Sequence, residues 1–259
     1  MTAHNNHMHS DSKKRRSFRY APASPLFAAG DVKRWPSYTK TVDPRYPAKI
    51  HKLWATLDRE TTWLHGRWII YLQLFGTNKE RVQLLNESGG SFFNLLQDIL
   101  LHDIQLTLSK LGDPAYLGNK ENMTLEALNK ELKDLGEMVA ANKIKESLQK
   151  FAAACEKIRH RRNKWIAHFD RPTMLNDNVN PRMGPSREEI EHSLEALREA
   201  MNCISLHYTD MTILYEKFSM QADGEILVKC LRQSLRYREL VNERVVARDD
   251  YRNRFSGEA

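Results

Sequence analysis

Residues 186–218 read SREEIEHSLEALREAMNCISLHYTDMTILYEKF. Along this stretch Ile190, Leu194, Leu197, Met201, Ile204, Tyr208, Met211, Tyr215 and Phe218 recur at alternating steps of four and three. That spacing lines apolar side chains along one stripe of a helix. Ser186 and Glu189, three apart and just ahead of the first apolar position, form a capping box that starts the helix. The pattern predicts one helix of about thirty residues, its seam packed inside a helical bundle or against a second chain.

The same reading extends outward in both directions. No proline falls within 48–113, 115–171 or 186–259, so helix is favoured through most of the chain. A first helix over 49–75 carries Trp54, Trp63 and Trp68 and ends at Gly76-Thr77-Asn78. After Gly89-Gly90, a second presents Phe92, Leu95, Leu96, Ile99, Leu100, Ile104, Leu108 and Leu111 on one side and Asn94, Asp98, His102 and Gln105 on another, until Gly112-Asp113-Pro114 stops it. Asp98 and His102, four apart, read either as an acid–base pair or as part of a solvated stripe. Thr124 caps a short helix around 125–135. A long helix then runs from about 137 toward 168, offering Met138, Ile144, Leu148, Phe151, Cys155, Ile158 and Trp165 for burial. Residues 172–185, rich in Asn, Asp, Pro and Gly, form a loop. A last helix begins near Asp223 and uses Ile226, Leu227, Leu231, Leu235, Leu240 and Val245. No window alternates with period two for long enough to make a strand, so the expected fold is an all-α bundle.

Charge is unevenly placed. The chain of 259 residues carries a formal +7, and residues 1–50 contain ten basic and three acidic side chains, which accounts for all of it. Five of the nine prolines and the run Lys13-Lys14-Arg15-Arg16 lie in the same segment. Residues 1–45 are expected to be a disordered basic arm, either a tether to phosphates or a solvated tail, ahead of a helical domain over 46–259. The longest apolar runs, such as Trp68-Ile69-Ile70, exclude a membrane span, and no apolar leader opens the chain. Cys155, Cys203 and Cys230 form no CxxC pair and read as reduced core thiols of a cytoplasmic protein. Phosphate-binding glycine motifs and HExxH are missing, and the histidines do not cluster, so no metal or cofactor is expected.

One segment of the neutral body is strongly basic. Residues 143–171 hold nine basic side chains against three acidic ones. They end in Arg159-His160-Arg161-Arg162-Asn163-Lys164-Trp165-Ile166-Ala167-His168-Phe169-Asp170-Arg171-Pro172. An Arg followed by a polar residue and, five residues further on, a His resembles the motif of the HEPN superfamily. The string Arg162 to Asp170, together with Leu111-Gly112-Asp113-Pro114-Ala115 and Asn122-Met123-Thr124-Leu125, resembles the abortive-infection U-type branch over roughly residues 48–240.

The resemblance implies a HEPN-like bundle of long antiparallel helices and a metal-independent endoribonuclease of phage defence or a toxin–antitoxin system. In it Arg162, Asn163 and His168 are catalytic, and Arg159, Arg161, Lys164 and Arg171 bind RNA. It also implies a homodimer with both motifs facing one cleft, and a cognate antitoxin protein as a partner. Some HEPN toxins carry a Tyr two residues after the motif His as a modification site, where this chain has Asp170.

The residue types suit that chemistry. A guanidinium holds two phosphate oxygens and stabilises developing charge, and an imidazole moves a proton to or from a ribose oxygen. On an ideal helix Arg162 and His168 stand about 120° apart, so convergence requires a break in the helix or a second chain. Pro172 ends the helix near His168, where the helix terminus favours protonated imidazole. Each residue has another reading: Arg162 pairing a surface carboxylate, His168 capping the helix, Asn163 fixing the helix–loop junction. A noncatalytic helical module that binds RNA or a protein through the same patch is the alternative function.

Overall fold

The computed structural model describes residues 43–167, 170–175, 184–221 and 223–247. The basic arm lies outside them up to residue 42. The described chain forms helices α1 (Ala48–Tyr71), α2 (Lys79–Leu111), α3 (Leu125–Asp134), α4 (Met138–Ala154), α5 (Glu156–Arg161), α6 (Arg171–Met174), α7 (Arg187–Thr209) and α8 (Gly224–Asn242). It is an all-α bundle, as the periodicity predicts. One departure is a hairpin of β1 (Tyr116–Leu117) and β2 (Lys120–Glu121), which pairs Tyr116 with Glu121 and Leu117 with Lys120. Two residues per strand leave no alternation to detect, and Gly118, at φ 60°, makes the tight turn between them.

Side chains start the helices where they were expected. The Thr124 hydroxyl accepts the Ala127 N–H (3.2 Å), and the Ser186 hydroxyl accepts that of Glu189 (3.2 Å) while the Glu189 carboxylate accepts the Ser186 N–H (2.8 Å). Asp223 caps α8. Asn78 caps α2 by accepting the Arg81 N–H (2.9 Å), so that helix starts ahead of Gly89-Gly90 and runs through them with a kink at Gly89.

The seam of α7 is real but shorter than its sequence suggests. Ile190, Leu194, Leu197, Met201 and Ile204 are each at most 1% exposed, all against this chain's own core. The helix stops at Thr209 because Asp210 turns left-handed (φ 57°, ψ 26°). Met211 is consequently 39% exposed, and Tyr215 re-enters the core from a single 3₁₀ turn, Tyr215–Lys217.

Cross-links between α4–α5 and α7 give their direction. Ser147 Oγ lies 3.2 Å from Cys203 Sγ, Lys150 Nζ 3.2 Å from Glu199, and Ser193 Oγ 2.9 Å from the Ala154 carbonyl; Lys157 pairs with Glu189. Rising numbers on one side meet falling numbers on the other, so the helices are antiparallel. Helix α1 flanks α7 with the same sense, through Trp68 Nε1–H to Glu191 and the contact of His65 with Arg198. Helix α2 folds back on α1, tied by Arg67 and Asp103 at 2.9 Å.

Between α1, α7 and the 3₁₀ turn lies a buried polar cluster. The Tyr215 hydroxyl donates to Asp58 (2.7 Å), and its ring stacks on His65 with centroids 5.5 Å apart. His65 is 1% exposed; its Nδ1–H donates to the Thr61 carbonyl (2.8 Å), which leaves Nε2 to accept from Arg198 (3.4 Å). Burial drives its pKa down to about 4, so the folded protein holds it neutral.

Spacing was not a reliable guide to burial elsewhere. Phe92, Leu95 and Ile99 on α2, Met138 on α4, and Ile226, Leu227 and Val245 near α8 are exposed, whereas Gln105, read as polar surface, is buried. Of the three thiols expected in the core, Cys155 is buried and pushed up to about 11 by desolvation, Cys203 is half-buried and Cys230 is exposed.

Two measurements follow from this packing. Leu197→Ala should lower unfolding stability in urea by about 2–5 kcal/mol, as for other buried leucines, and Met211→Ala by under about 0.5 kcal/mol. Comparable losses would mean that the seam continues past Thr209. His65 contributes stability above its unfolded pKa of about 6.5, and that contribution falls as pH drops toward 4, because the unfolded chain takes up the proton first. Between pH 7 and pH 4.5 wild type should therefore lose about 2–3 kcal/mol more than His65→Gln, measured by urea unfolding at each pH.

Candidate functional site

The basic segment is delivered to its place by a bend. Helix α4 ends at Cys155 (φ −88°, ψ 3°), and α5 sets off from there toward the C-terminal end of α2. Two residues reach across. Arg159 Nη2 donates to the Gly112 carbonyl (3.0 Å), a cation at the negative end of a long helix. Its approach depends on Gly112 having no side chain, since a Cβ there would come within 3.0 Å of the Arg159 guanidinium and 3.1 Å of the Phe151 ring.

Arg162 is held from three sides. Its Nε–H donates to Ser109 Oγ (2.9 Å), Nη1 to Asn163 Oδ1 (3.0 Å), and Nη2 to both carboxylate oxygens of Asp113, the Oδ2 contact being 2.6 Å. The Arg162 side chain is 18% exposed and that of Asp113 is 28% exposed. A charge-assisted pair in this half-buried setting orients the guanidinium. One Nη1 proton is left over for a further acceptor.

At Arg162 the chain also stops being an α-helix. Residues Arg162–Ile166 form a π turn, in which the Ala167 N–H donates to the Arg162 carbonyl five residues back (2.8 Å). Single π turns of this kind are frequent at functional sites. The regular α-helix is therefore interrupted at Arg162; His168 and Phe169 themselves lie outside the described residues.

The other basic residues occupy separate positions. Arg161 faces Asp98 on α2 and packs on Gly184, and burial lowers its guanidinium pKa while Asp98 opposes the change. Lys164 pairs with Asp170 at 3.0 Å. Asp170 also caps α6, accepting from the Thr173 N–H (3.2 Å) and hydroxyl (2.5 Å); these bonds, the Thr173 hydroxyl first and Lys164 next, hold its carboxylate below the usual range. Arg171 is exposed at the first position of α6. Trp165, expected in the core, is half-buried, as is Ile166. Thus Arg159, Arg162 and Asn163 meet at the end of α2, Arg161 faces Asp98, Lys164 lies within the π turn, and Arg171 lies beyond it.

Sequence reading missed two partners of the motif. Asp113 stands in the sequence within a helix stop and within the Leu111–Ala115 string, with nothing that pairs it to Arg162, and Ser109 carries no signal of its own. Among the described residues no three His, Cys, Asp or Glu side chains converge as a metal site, and no helix is long and apolar enough to cross a membrane.

An antiparallel all-α bundle with an Arg-Asn pair at a π turn, anchored to the end of a neighbouring helix, defines a HEPN-like module. Residues 48–227 match the family model AbiU2 of the HEPN group, and the chain belongs to that family. The match contains Arg162, Asn163, His168, Asp113 and Ser109 and ends in the first turn of α8. No curated protein and no solved structure matches the chain.

The geometry makes Arg162 and Asp113 a coupled pair. Arg162→Ala and Asp113→Ala should each destabilise the protein, and the double variant should lose less than the two losses added together, with a coupling of about 0.5–3 kcal/mol in urea unfolding. Strict additivity would mean that the two side chains do not interact in solution.

Proposed function

We propose that this AbiU2-type protein is a metal-independent endoribonuclease of phage defence or a toxin–antitoxin system, acting in the cytoplasm as a homodimer under a cognate antitoxin protein. The observation that supports this reading best is Arg162, pre-oriented by Asp113, Ser109 and Asn163 at a π turn inside the family's motif. In the proposed reaction Arg162 holds the scissile phosphate and stabilises charge as it builds. His168 takes the proton of the ribose 2′-OH, or returns one to the leaving 5′-oxygen, and Asn163 orients one of these groups. Arg159, Arg161, Lys164 and Arg171 draw in the RNA backbone. Attack by the 2′-oxygen leaves a 2′,3′-cyclic phosphate and a 5′-OH.

The second reading, a noncatalytic module binding RNA or a protein, draws on the same pair. Both carboxylate oxygens of Asp113 already hold Arg162 Nη2, and a phosphate must compete with them.

Purified protein incubated with RNA should yield products ending in 2′,3′-cyclic phosphate, unchanged by EDTA. His168→Ala and Arg162→Ala should each slow cleavage by about 10²–10⁴-fold. Undiminished cleavage by His168→Ala would assign the activity to something other than this site. Binding that weakens steeply with salt, with no cleavage in any variant, would favour the noncatalytic module.

A further inference from the structure

A groove runs alongside the candidate site between the β1–β2 hairpin and α3. Its floor and walls are Pro114, Tyr116, Glu126, Asn129, Lys130 and Lys133, and it encloses about 410 Å³, within the range of small-ligand sites. Pro114 directly follows Asp113, the residue that grips Arg162, so the groove starts where the phosphate-holding group ends.

Three features of the lining are costly or unusual for plain surface. Tyr116 stands on a two-residue strand with its ring 44% exposed. The ring is nevertheless fixed: its hydroxyl donates to Glu121 (3.2 Å), Lys130 sits 5.7 Å from its centroid, and the hairpin is tied down by Asn122 through the Ala115 (2.8 Å) and Pro114 (2.9 Å) carbonyls. Asn129 is only 6% exposed, yet its amide oxygen is buried with no hydrogen-bond partner among the described residues. Lys130 and Lys133 stand exposed above this floor, with Asp134 taking up Lys130 at 2.6 Å.

We propose that this groove is a nucleotide subsite, and the proposal rests on the reading of the protein as one that binds RNA at Arg162. A base flanking the held phosphate stacks on Tyr116, its edge reaches Glu126, and its own phosphate lies against Lys133 and Lys130. Stacking of a base on an exposed ring is sequence-tolerant by itself. The edge supplies a preference. Glu126 on the rim presents a carboxylate acceptor, so the groove favours a base with an exocyclic amino group over uracil. Adenine and cytosine qualify.

The test measures binding of the full-length chain to fluorescein-labelled ten-nucleotide RNAs, fully 2′-O-methylated so that they are not cut, by fluorescence anisotropy. Wild type should bind oligo(C) and oligo(A) several-fold more tightly than oligo(U). Tyr116→Ala should weaken oligo(C) binding about tenfold, on the order of one stacked base, while Tyr116→Phe should keep it. Glu126→Ala should remove the preference over oligo(U). Tyr116 and Glu126 are both exposed, so a thermal melt should show each variant folded as wild type. Tyr116→Ala binding as wild type, alongside an Arg162→Ala variant that binds poorly, would remove the subsite and leave the RNA reading intact. Wild type that binds none of the oligonucleotides would overturn both.

Discussion

Helix α4 lies antiparallel on α7, with Ala140, Ala141, Ile144 and Phe151 on one side and Leu194, Leu197, Ala200, Met201 and Ile204 on the other, all at most 1% exposed. Each fully buried aliphatic side chain of this kind contributes about 1.5–3 kcal/mol. The small residues Ala141 and Ala200 add little area but let the two backbones approach. Because the polar rungs Ser147–Cys203, Lys150–Glu199, Ser193–Ala154 and Lys157–Glu189 extend this contact past the end of α4, the register of α5 is set by the same face. The Ser193 hydroxyl sits between the Ala154 and Glu189 carbonyls, 2.9 and 2.8 Å away, and donates to one at a time, which ties the bend in the motif helix to the first turn of α7. The aim of Arg159 and Arg162 at the end of α2 is thus fixed from α7, across the bundle.

The site itself is an electrostatic arrangement around one helix terminus. Helix α2 ends with the Gly112 carbonyl and the Asp113 carboxylate, both negative, and Arg159 and Arg162 neutralise them. Such an arrangement is stable without a ligand, which explains how a strongly basic segment packs into a bundle without its charges repelling one another. It also has a chemical consequence: a guanidinium already paired with a carboxylate is rigid, so its remaining donor points in one direction before any phosphate arrives. The cost is competition between Asp113 and the incoming anion. That balance between orientation and occupancy is what separates a catalytic arginine from a structural one at this position.

The helices, their caps and the class of fold were legible in the sequence because each is local: Ser186 with Glu189, Thr124 with Ala127, an apolar stripe with a fixed period. The end of α7 was not, since Met211, Tyr215 and Phe218 keep the spacing after the backbone has left the helix. Tyr215 even stays in the core, but it gets there through its hydroxyl bond to Asp58, a residue 157 positions away. Phe92, Leu95 and Ile99 show the converse, a helical spacing that leaves its side chains exposed because no described element packs over that face. At the site, Arg162 and Asn163 were visible as a motif, whereas Ser109 and Asp113 meet Arg162 only because α2 and α5 run antiparallel, across 53 and 49 positions.

The π turn joins these two levels. An α-helix continued through residue 168 keeps Arg162 and the motif histidine on different faces, as the six-residue spacing requires. Widening the turn at Arg162–Ile166 changes that angle locally, and the backbone donor freed by the wider turn returns to the Arg162 carbonyl, so no polar group is lost. The change occurs at the residue that Asp113, Ser109 and Asn163 pin in place. A π turn costs packing and hydrogen-bond geometry relative to an α turn, and the triple anchoring of the Arg162 side chain is what stabilises it here. The carboxylate of Asp113 therefore does two things with one bond: it orients the guanidinium, and it anchors the residue at which the backbone leaves α-helical geometry.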